Sequence, residues 1–413
     1  MPLRLRLTSP SEADEMRIGM MADLYKPHMS GVTNFIDLNK RELEQAGHTV
    51  YVFTFGDPDF ADDEPNVIRS PGIPLAETGA YLSLSYPRRA RRLLESMDLV
   101  HVHHPFLSGR LAIRYCRPYN IPVVFTNHTR YDLYAQAYLP VLPDQVGIAF
   151  LQAYMPWLCR EMDLVIAPSA GLQRVLVGLG VQSPIVVLPN GIDLAPFREK
   201  REPRLPESVG LLPGGVVLIY VGRLGPEKNL TFLVRAFAGV AAAFPEVRLL
   251  LVGDGPERDN LEDRVARSGL QGRVGFAGQV DYADLPPYLG AADAFVTASV
   301  TEVHPLSVIE AMASGLPVLG IASPGIEDMV EDGVTGYLSP DDLPAFTAKM
   351  TRLVAERERR REMSQNARQA AEEYAIERTS ARLMQHYDKL VIERPRRERR
   401  AQLLWRRVVD RWT

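Results

Sequence analysis

Short apolar runs separated by amphipathic stretches recur along the whole chain, and their order sets the architecture. Arg17-Ile18-Gly19-Met20-Met21-Ala22 reads as a strand, Ser30-Gly31-Val32 as a turn into a helix through Glu44, Gly47 as the stop of that helix, and His48 to Phe53 as the next strand. This is a β-α-β unit. Further apolar runs at Leu99 to Val102, Pro122 to Thr126, Leu164 to Ala167 and Ile185 to Leu188 alternate with helical stretches and give one parallel sheet. A second series then follows at Val216 to Val221, Val247 to Val252, Val274 to Phe276, Ala294 to Thr297 and Pro317 to Gly320. Between the two series, Pro196 to Pro206 is charged and proline-rich, which suits a linker. The pattern predicts an α/β chain of two doubly wound parallel-sheet domains facing a cleft. Its expected divisions are an extension over 1–15, a first domain over 16–195, a linker over 196–213, a second domain over 214–375 and a helical segment over 376–413.

Composition adds limits to this picture. With 413 residues, 46% hydrophobic and 24% charged, the chain has enough material for two separate cores. Cys116 and Cys159 form no metal spacing and no disulfide framework, which fits a reducing compartment. No apolar run approaches the ~18 residues that cross a bilayer, and Met1 to Met16 is mixed and charged rather than a signal peptide. A cytoplasmic location is expected. The net charge of −4 argues against a dedicated nucleic-acid binder, although Val391 to Thr413 is locally basic, with eight arginines against three acids.

Ligands of open parallel sheets lie beyond the carboxyl ends of the strands, so the candidate chemistry is sought there. In Thr301 to Val318, Leu306, Ile309, Ala313 and Leu316 fall at helical spacing and Gly315-Leu316-Pro317 ends the helix. Glu302 therefore precedes a helix and Glu310 sits a little over two turns further on. A carboxylate so near core-facing residues needs hydroxyl or amide donors, and a ribose diol is one such donor. The alternative is an ordinary exposed helical glutamate. Upstream, Val217 to Leu230 is an apolar strand, a turn at Gly222 with the cations Arg223 and Lys228, then a helix start. Arg223 can fork onto phosphate oxygens while Lys228 acts as a point charge, or the segment is a surface loop with a salt bridge to Glu227. His101, His103 and His104 follow one another, but no carboxylate or thiol at close spacing completes a zinc site. Asp57-Pro58-Asp59 lies in an acidic turn and reads as a solvated loop.

Together, the two segments around Arg223 and Glu302 resemble the retaining glycosyltransferases of family four, which have the GT-B fold, and the resemblance runs through nearly the whole chain. It implies that Arg223 and Lys228 hold a donor diphosphate, that Glu302 meets the transferred sugar and that Glu310 binds the nucleotide ribose. Gly31, Gly222, Val280 and Leu306 complete the implied donor site, with Val280 following the Gly278-Gln279 turn where the family seats the base. His128, in Phe125 to Asp132, matches the family's active-site histidine beside the transferred sugar. The family generally dispenses with metal, since cations and helix amides hold the diphosphate, so no metal and no cofactor is implied. The implied donor is a nucleoside diphosphate sugar, UDP-glucose, and the implied reaction keeps the anomeric configuration. Two departures stand out: Ser30-Gly31 where two glycines are usual, and Val303-His304-Pro305 where many members carry small residues. Pro305 removes an amide that could face phosphate or sugar.

Asn127 to Tyr134, with His103-His104-Pro105-Phe106, is similar to the diacylglycerol glucosyltransferases within that family. This makes His103, His104, Asn127, Thr129 and Tyr131 candidates for acceptor binding, and a membrane lipid the implied acceptor. Two amphipathic basic segments suit a peripheral place on an anionic membrane surface. In one, Ala90, Leu93, Leu94 and Met97 form a stripe opposite Arg88, Arg89, Arg91 and Arg92; in the other, Ala401, Leu404, Trp405, Val408 and Trp412 oppose Arg399, Arg406 and Arg407. The second has an alternative, because a GT-B chain often ends in a helix that packs back across the first domain. Two other functions stay open: the same transfer to a soluble sugar, sugar phosphate or small metabolite, and a nucleotide-binding interaction protein whose catalysis Val303-His304-Pro305 has spoiled. An oxidoreductase is disfavoured, since no Gly-x-Gly-x-x-Gly turn follows Met20.

Overall fold

The computed structural model describes residues 15–28, 30–75, 80–133, 144–199 and 209–393. Tyr134, most of the expected extension, residues 200–208 of the linker and the whole Trp405 and Trp412 stripe lie outside the described residues. The first domain runs β1 (Arg17–Met21), β2 (Thr49–Phe55), β3 (Val67–Ser70), an antiparallel pair β4 (Ile73–Leu75) and β5 (Ala80–Leu82), then β6 (Leu99–Val102), β7 (Val123–Thr126), β8 (Leu164–Ala167) and β9 (Ile185–Val187). Seven of these make one parallel sheet in the order β3-β2-β1-β6-β7-β8-β9. The second domain holds β10 (Val217–Val221), β11 (Arg248–Val252), β12 (Val274–Gly278), β13 (Ala294–Thr297), β14 (Val318–Ile321) and β15 (Gly336–Ser339), parallel in the order β12-β11-β10-β13-β14-β15. Helices cover both faces of each sheet, so the central strands are buried on both sides and read as continuous apolar runs.

Strand order decides where a ligand can sit. In each sheet the winding reverses once, between β1 and β6 in the first and between β10 and β13 in the second. The connections leave these neighbours in opposite directions, which opens a crevice beyond their carboxyl ends. The helix Gly31–Gln45, after β1, starts at one crevice; Ser30 caps it by accepting the Thr33 amide at 3.2 Å, an interaction worth about 1 kcal/mol. Its buried face, Phe35, Ile36 and Leu43, packs with Ile18, Met20 and Val50 of the sheet.

The domains are joined twice. The start of the expected linker is not a spacer, because Ala195–Arg198 is helical and Phe197 is buried among residues of the second domain. On the return, Ile192 and Ile376 exchange backbone bonds with the other segment: the Ile192 amide donates to Tyr374 O (3.0 Å) and the Ile376 amide to Ile192 O (2.9 Å). The helix Ile376–Glu393 then packs along Gly31–Gln45, with Ser380 donating to Asn39 Oδ1 at 2.8 Å and Leu383 and Tyr387 in the first domain's core. Cys116 and Cys159 are buried free thiols. No helix among the described residues is long and apolar enough to cross a membrane.

Candidate active site

The β10/β13 crevice gathers the charged residues singled out in the sequence. β10 ends at Val221 and the chain turns at Gly222 (φ +152°), where a Cβ would fall 2.8 Å from the Tyr220 hydroxyl. β11 ends beside it at Gly253 (φ +135°), whose Cβ would lie 2.0 Å from Gly222 O. Only glycine at both positions lets two strand ends approach this closely. The turn carries Arg223, exposed at the rim, and Lys228, whose Nζ lies 2.7 Å from Glu302 Oε1 although 74 residues separate them. Both side chains are mostly shielded from solvent, 17% and 16% exposed. One cation and one carboxylate thus share the floor of the crevice.

Glu302 leads through Val303-His304-Pro305 into the helix Leu306–Ala313. Pro305 occupies the cap position rather than the helix interior, so it interrupts no helical hydrogen bond. The two residues before it are structural: Val303 packs into the first domain's core, and His304 is buried, edge-on to Tyr374 at 5.1 Å, with its carbonyl accepting Asn190 Nδ2 at 3.0 Å. Burial lowers the His304 imidazole to about 3, so it is neutral. Val303 and His304 therefore tie the two domains together. Glu310, two turns on, is only 4% exposed. Burial pushes its carboxyl up to about 7, and the Tyr282 hydroxyl beside it opposes that rise. Val280 and Leu306 pack as half-buried residues on the same core as Ile309.

The facing crevice, between β1 and β6, is built from histidines. His103 ends up wholly buried after β6, with Nδ1 3.1 Å from Nε2 of His128, which follows β7. Phe35 packs against both rings, edge-on to His128 at 4.8 Å and tilted to His103 at 5.5 Å. Burial drives both imidazoles well below 6.5, so both are neutral and one donates to the other. His101 lies beneath, ring centroid 4.2 Å from His103, with its two nitrogens 2.5 Å from Tyr387 Oη and 2.7 Å from Thr126 Oγ1. His104 is partly exposed and accepts the Asp23 amide at 3.1 Å. Asp23 in turn accepts the Ser108 amide at 2.8 Å and so caps the helix Leu107–Cys116. Gly31 is exposed, and a Cβ there would meet nothing within 4 Å, leaving open space before the helix start.

Beside His128, Asn127 is buried, Thr129 is half-buried and Tyr131 stands edge-on to Phe106 at 5.2 Å. Phe106 continues into a ladder of Tyr154 (5.5 Å) and Phe150 (6.4 Å), and Tyr154 meets Trp157 at 5.5 Å. Phe150 is 53% and Trp157 41% exposed. Further along the same domain, Arg88, Arg89 and Arg92 are exposed while Ala90, Leu94 and Met97 are buried, so the apolar stripe of this basic helix faces the core. Exposed Ile73 (68%) and Leu84 (73%) lie near it in sequence.

Several contributors escape a reading of the sequence. Tyr282, beside Glu310, lies four residues after β12 in a segment with no distinctive pattern. Tyr387 acts through a contact 286 residues away. Asp23 had a signal, its place two residues after β1.

Comparison with known proteins agrees with this geometry. Residues 29–196 match the description Glycosyltransferase Family 4 and residues 202–370 match Glycosyl transferases group 1. Alpha-monoglucosyldiacylglycerol synthase of Streptococcus pneumoniae is 31% identical over 337 residues, which is 78% of this chain and 75% of the relative. D-inositol 3-phosphate glycosyltransferase of Nocardia farcinica is 31% identical over 314 residues, 73% of this chain and 68% of the relative. Among solved structures, HepE of Anabaena in complex with UDP and glucose superposes with a TM-score of 0.71 at 20% identity, covering 91% of this chain and all of that one. The chain belongs to the family-four glycosyltransferases of the GT-B fold, hexosyltransferases built from two parallel-sheet domains.

Proposed function

We propose that this protein transfers glucose from UDP-glucose to a membrane lipid of the diacylglycerol type, with retention at the anomeric carbon. The observation that carries the transfer site is the Lys228–Glu302 pair in the β10/β13 crevice, with Arg223 at its rim and buried Glu310 two turns away. In this reading residues 214–375 bind the donor, residues 16–195 bind the acceptor, and residues 376–393 lock onto the acceptor domain. Arg223 and Lys228 neutralise the diphosphate, assisted by the first amides of the helix Leu306–Ala313. Glu310 accepts the ribose hydroxyls, and the backbone near Val280 receives the base.

Donor binding redistributes the charge already in place. The diphosphate competes with Glu302 for Lys228, which frees the carboxylate to accept sugar hydroxyls and hold a reactive geometry. The bond between the anomeric carbon and the β-phosphate oxygen breaks, the acceptor oxygen bonds to that carbon on the same face, and the acceptor proton passes to the departing phosphate. Arg223 and Lys228 take up the charge that develops there, so no metal is required. Neutral His128, packed against both Phe35 and His103, hydrogen-bonds the sugar without adding charge.

The lipid acceptor is supported by the aromatic ladder running from Tyr131 to exposed Phe150 and Trp157, by the outward arginines of the helix Arg88–Leu94, and by the S. pneumoniae relative. Aromatic rings with arginines suit the headgroup region of an anionic bilayer, and His104, Thr129 and Tyr131 border the acceptor path, with His103 and Asn127 buried behind them rather than lining it as expected. The second reading, a soluble acceptor, has the N. farcinica relative in its favour. Vesicle flotation separates them: the lipid reading requires binding to phosphatidylglycerol vesicles that Phe150→Ser/Trp157→Ser weakens, and no vesicle binding would reject it.

A further inference from the structure

A strongly charged cavity among the described residues lies away from the cleft, at the amino-terminal ends of the second domain's strands. It has a volume of about 610 Å³ and is bounded by Asp293 before β13, Ser314 to Leu316 before β14, Arg198 of the joining helix and one face of the helix Arg357–Ala371. On that helix Arg357, Arg360, Arg361, Ser364 and Arg368 recur at i, i+3, i+4, i+7 and i+11, a single stripe, while Met363, Ala367 and Ala371 are buried in the core. With Arg198, five guanidinium groups line one cavity, against two acids, Asp293 and Glu199.

Among the described residues, three of these five arginines have acidic partners and two do not. Arg360 is 9% exposed and donates to Leu353 O (2.7 Å) and Val354 O (3.0 Å), with Asp293 3.8 Å away. Arg368 donates to Ser314 O at 3.2 Å and lies flat against Gly315, where a Cβ would fall 2.3 Å from its Nε. Arg361 pairs with Glu358 at 2.9 Å and Arg198 with Glu372. Among the described residues no ion pair reaches Arg357 or Arg368. Like charges three and four residues apart destabilise a helix, so this stripe is a standing cost that a bound anion relieves.

We propose that this cavity binds a soluble metabolite carrying two phosphoryl groups, gripped by Arg357, Arg361 and Arg368 with Arg360 at the floor. Guanidinium forks match phosphate oxygens in pairs, the lining holds three more cations than acids, and the volume falls in the range of small-molecule pockets. The site is separate from the donor crevice: the helix Leu306–Ala313 begins beside Glu302 and ends at Ser314, a span of about 12 Å for its eight residues. Phe197 and Arg198 come from the segment joining the domains, so an occupied cavity fastens that joint to the second domain.

The test is calorimetric titration of inorganic pyrophosphate into protein held in saturating UDP, for wild type and for Arg357→Gln/Arg368→Gln. Both replaced side chains are exposed, so folding is unaffected, and melting temperature and UDP affinity serve as controls. The expected result is one pyrophosphate per chain in wild type and at least tenfold weaker binding in the variant, with the controls unchanged. Absence of binding beside UDP, or equal affinity in both proteins, overturns the proposal. A parallel arm uses phosphatidylglycerol vesicles; if the variant loses vesicle binding but keeps pyrophosphate binding, the arginines serve a lipid headgroup and the soluble-ligand proposal fails.

Discussion

Replacing Glu310 by glutamine makes the account of its burial measurable. An ordinary glutamate ionises near 4.5, whereas in the fold burial raises this carboxyl to about 7. The folded protein therefore keeps the Glu310 proton where the unfolded chain has released it. Stability falls as pH rises from 4.5 towards 7, and the full penalty, about 3 kcal/mol at ~1.4 kcal/mol per pH unit, is present above 7. Glutamine keeps the shape and removes the titration. Glu310→Gln should thus be more stable than wild type at pH 8 by about 3 kcal/mol, on the order of 6–12 °C in melting temperature for a unit of this size, and nearly equal to it below pH 5. Thermal unfolding of both proteins without nucleotide, from pH 5 to 8, reads this out. UDP affinity should change in the opposite sense, weakening in the variant, because an ionised carboxylate is the stronger acceptor for ribose hydroxyls. A stability difference that does not vary with pH would refute the reasoning.

Three further outcomes follow from the geometry. Lys228→Gln should lower kcat about 10²–10³-fold, the loss typical of one preorganised donor, and cost about 1–3 kcal/mol in stability, because the mostly shielded Glu302 carboxylate loses this partner; steady-state kinetics and melting curves check both. Tyr387→Phe leaves a buried nitrogen of His101 without its 2.5 Å partner and should cost about 1–3 kcal/mol in denaturant unfolding. Gly253→Ala should abolish soluble, folded protein on size-exclusion chromatography, since its Cβ would lie 2.0 Å from Gly222 O at φ +135°.

Much of this arrangement was legible in the chain. The two series of apolar runs gave the parallel sheets because strands buried on both faces need continuous apolar sequence; the rule that ligands gather at strand ends directed attention to the segments around Arg223 and Glu302, while the resemblance singled out His128 and the proposed roles. Edge strands were harder. β15 contains only Tyr337 and Leu338 as large apolar residues, and Gly336 is required because a Cβ would sit 2.0 Å from Val318 O. The helix at Ala195–Arg198 was hidden by charge and proline, yet one buried side chain, Phe197, anchors it. Pairings such as Tyr387 with His101 span 286 residues, and local sequence carries no record of them. The arginine stripe from Arg357 to Arg368 carries no local sign of a cavity, because Asp293 and Gly315 are brought opposite it only by the fold.

The most direct measurement of the central claim is glycosyl transfer itself: radiolabelled UDP-glucose with diacylglycerol in phosphatidylglycerol vesicles, beside soluble sugar and sugar-phosphate acceptors, for wild type and Glu302→Ala. Lipid-extractable product that disappears in the variant is the expected result. Water-soluble product alone would contradict the lipid acceptor, and absence of turnover with any donor and acceptor would contradict the transferase.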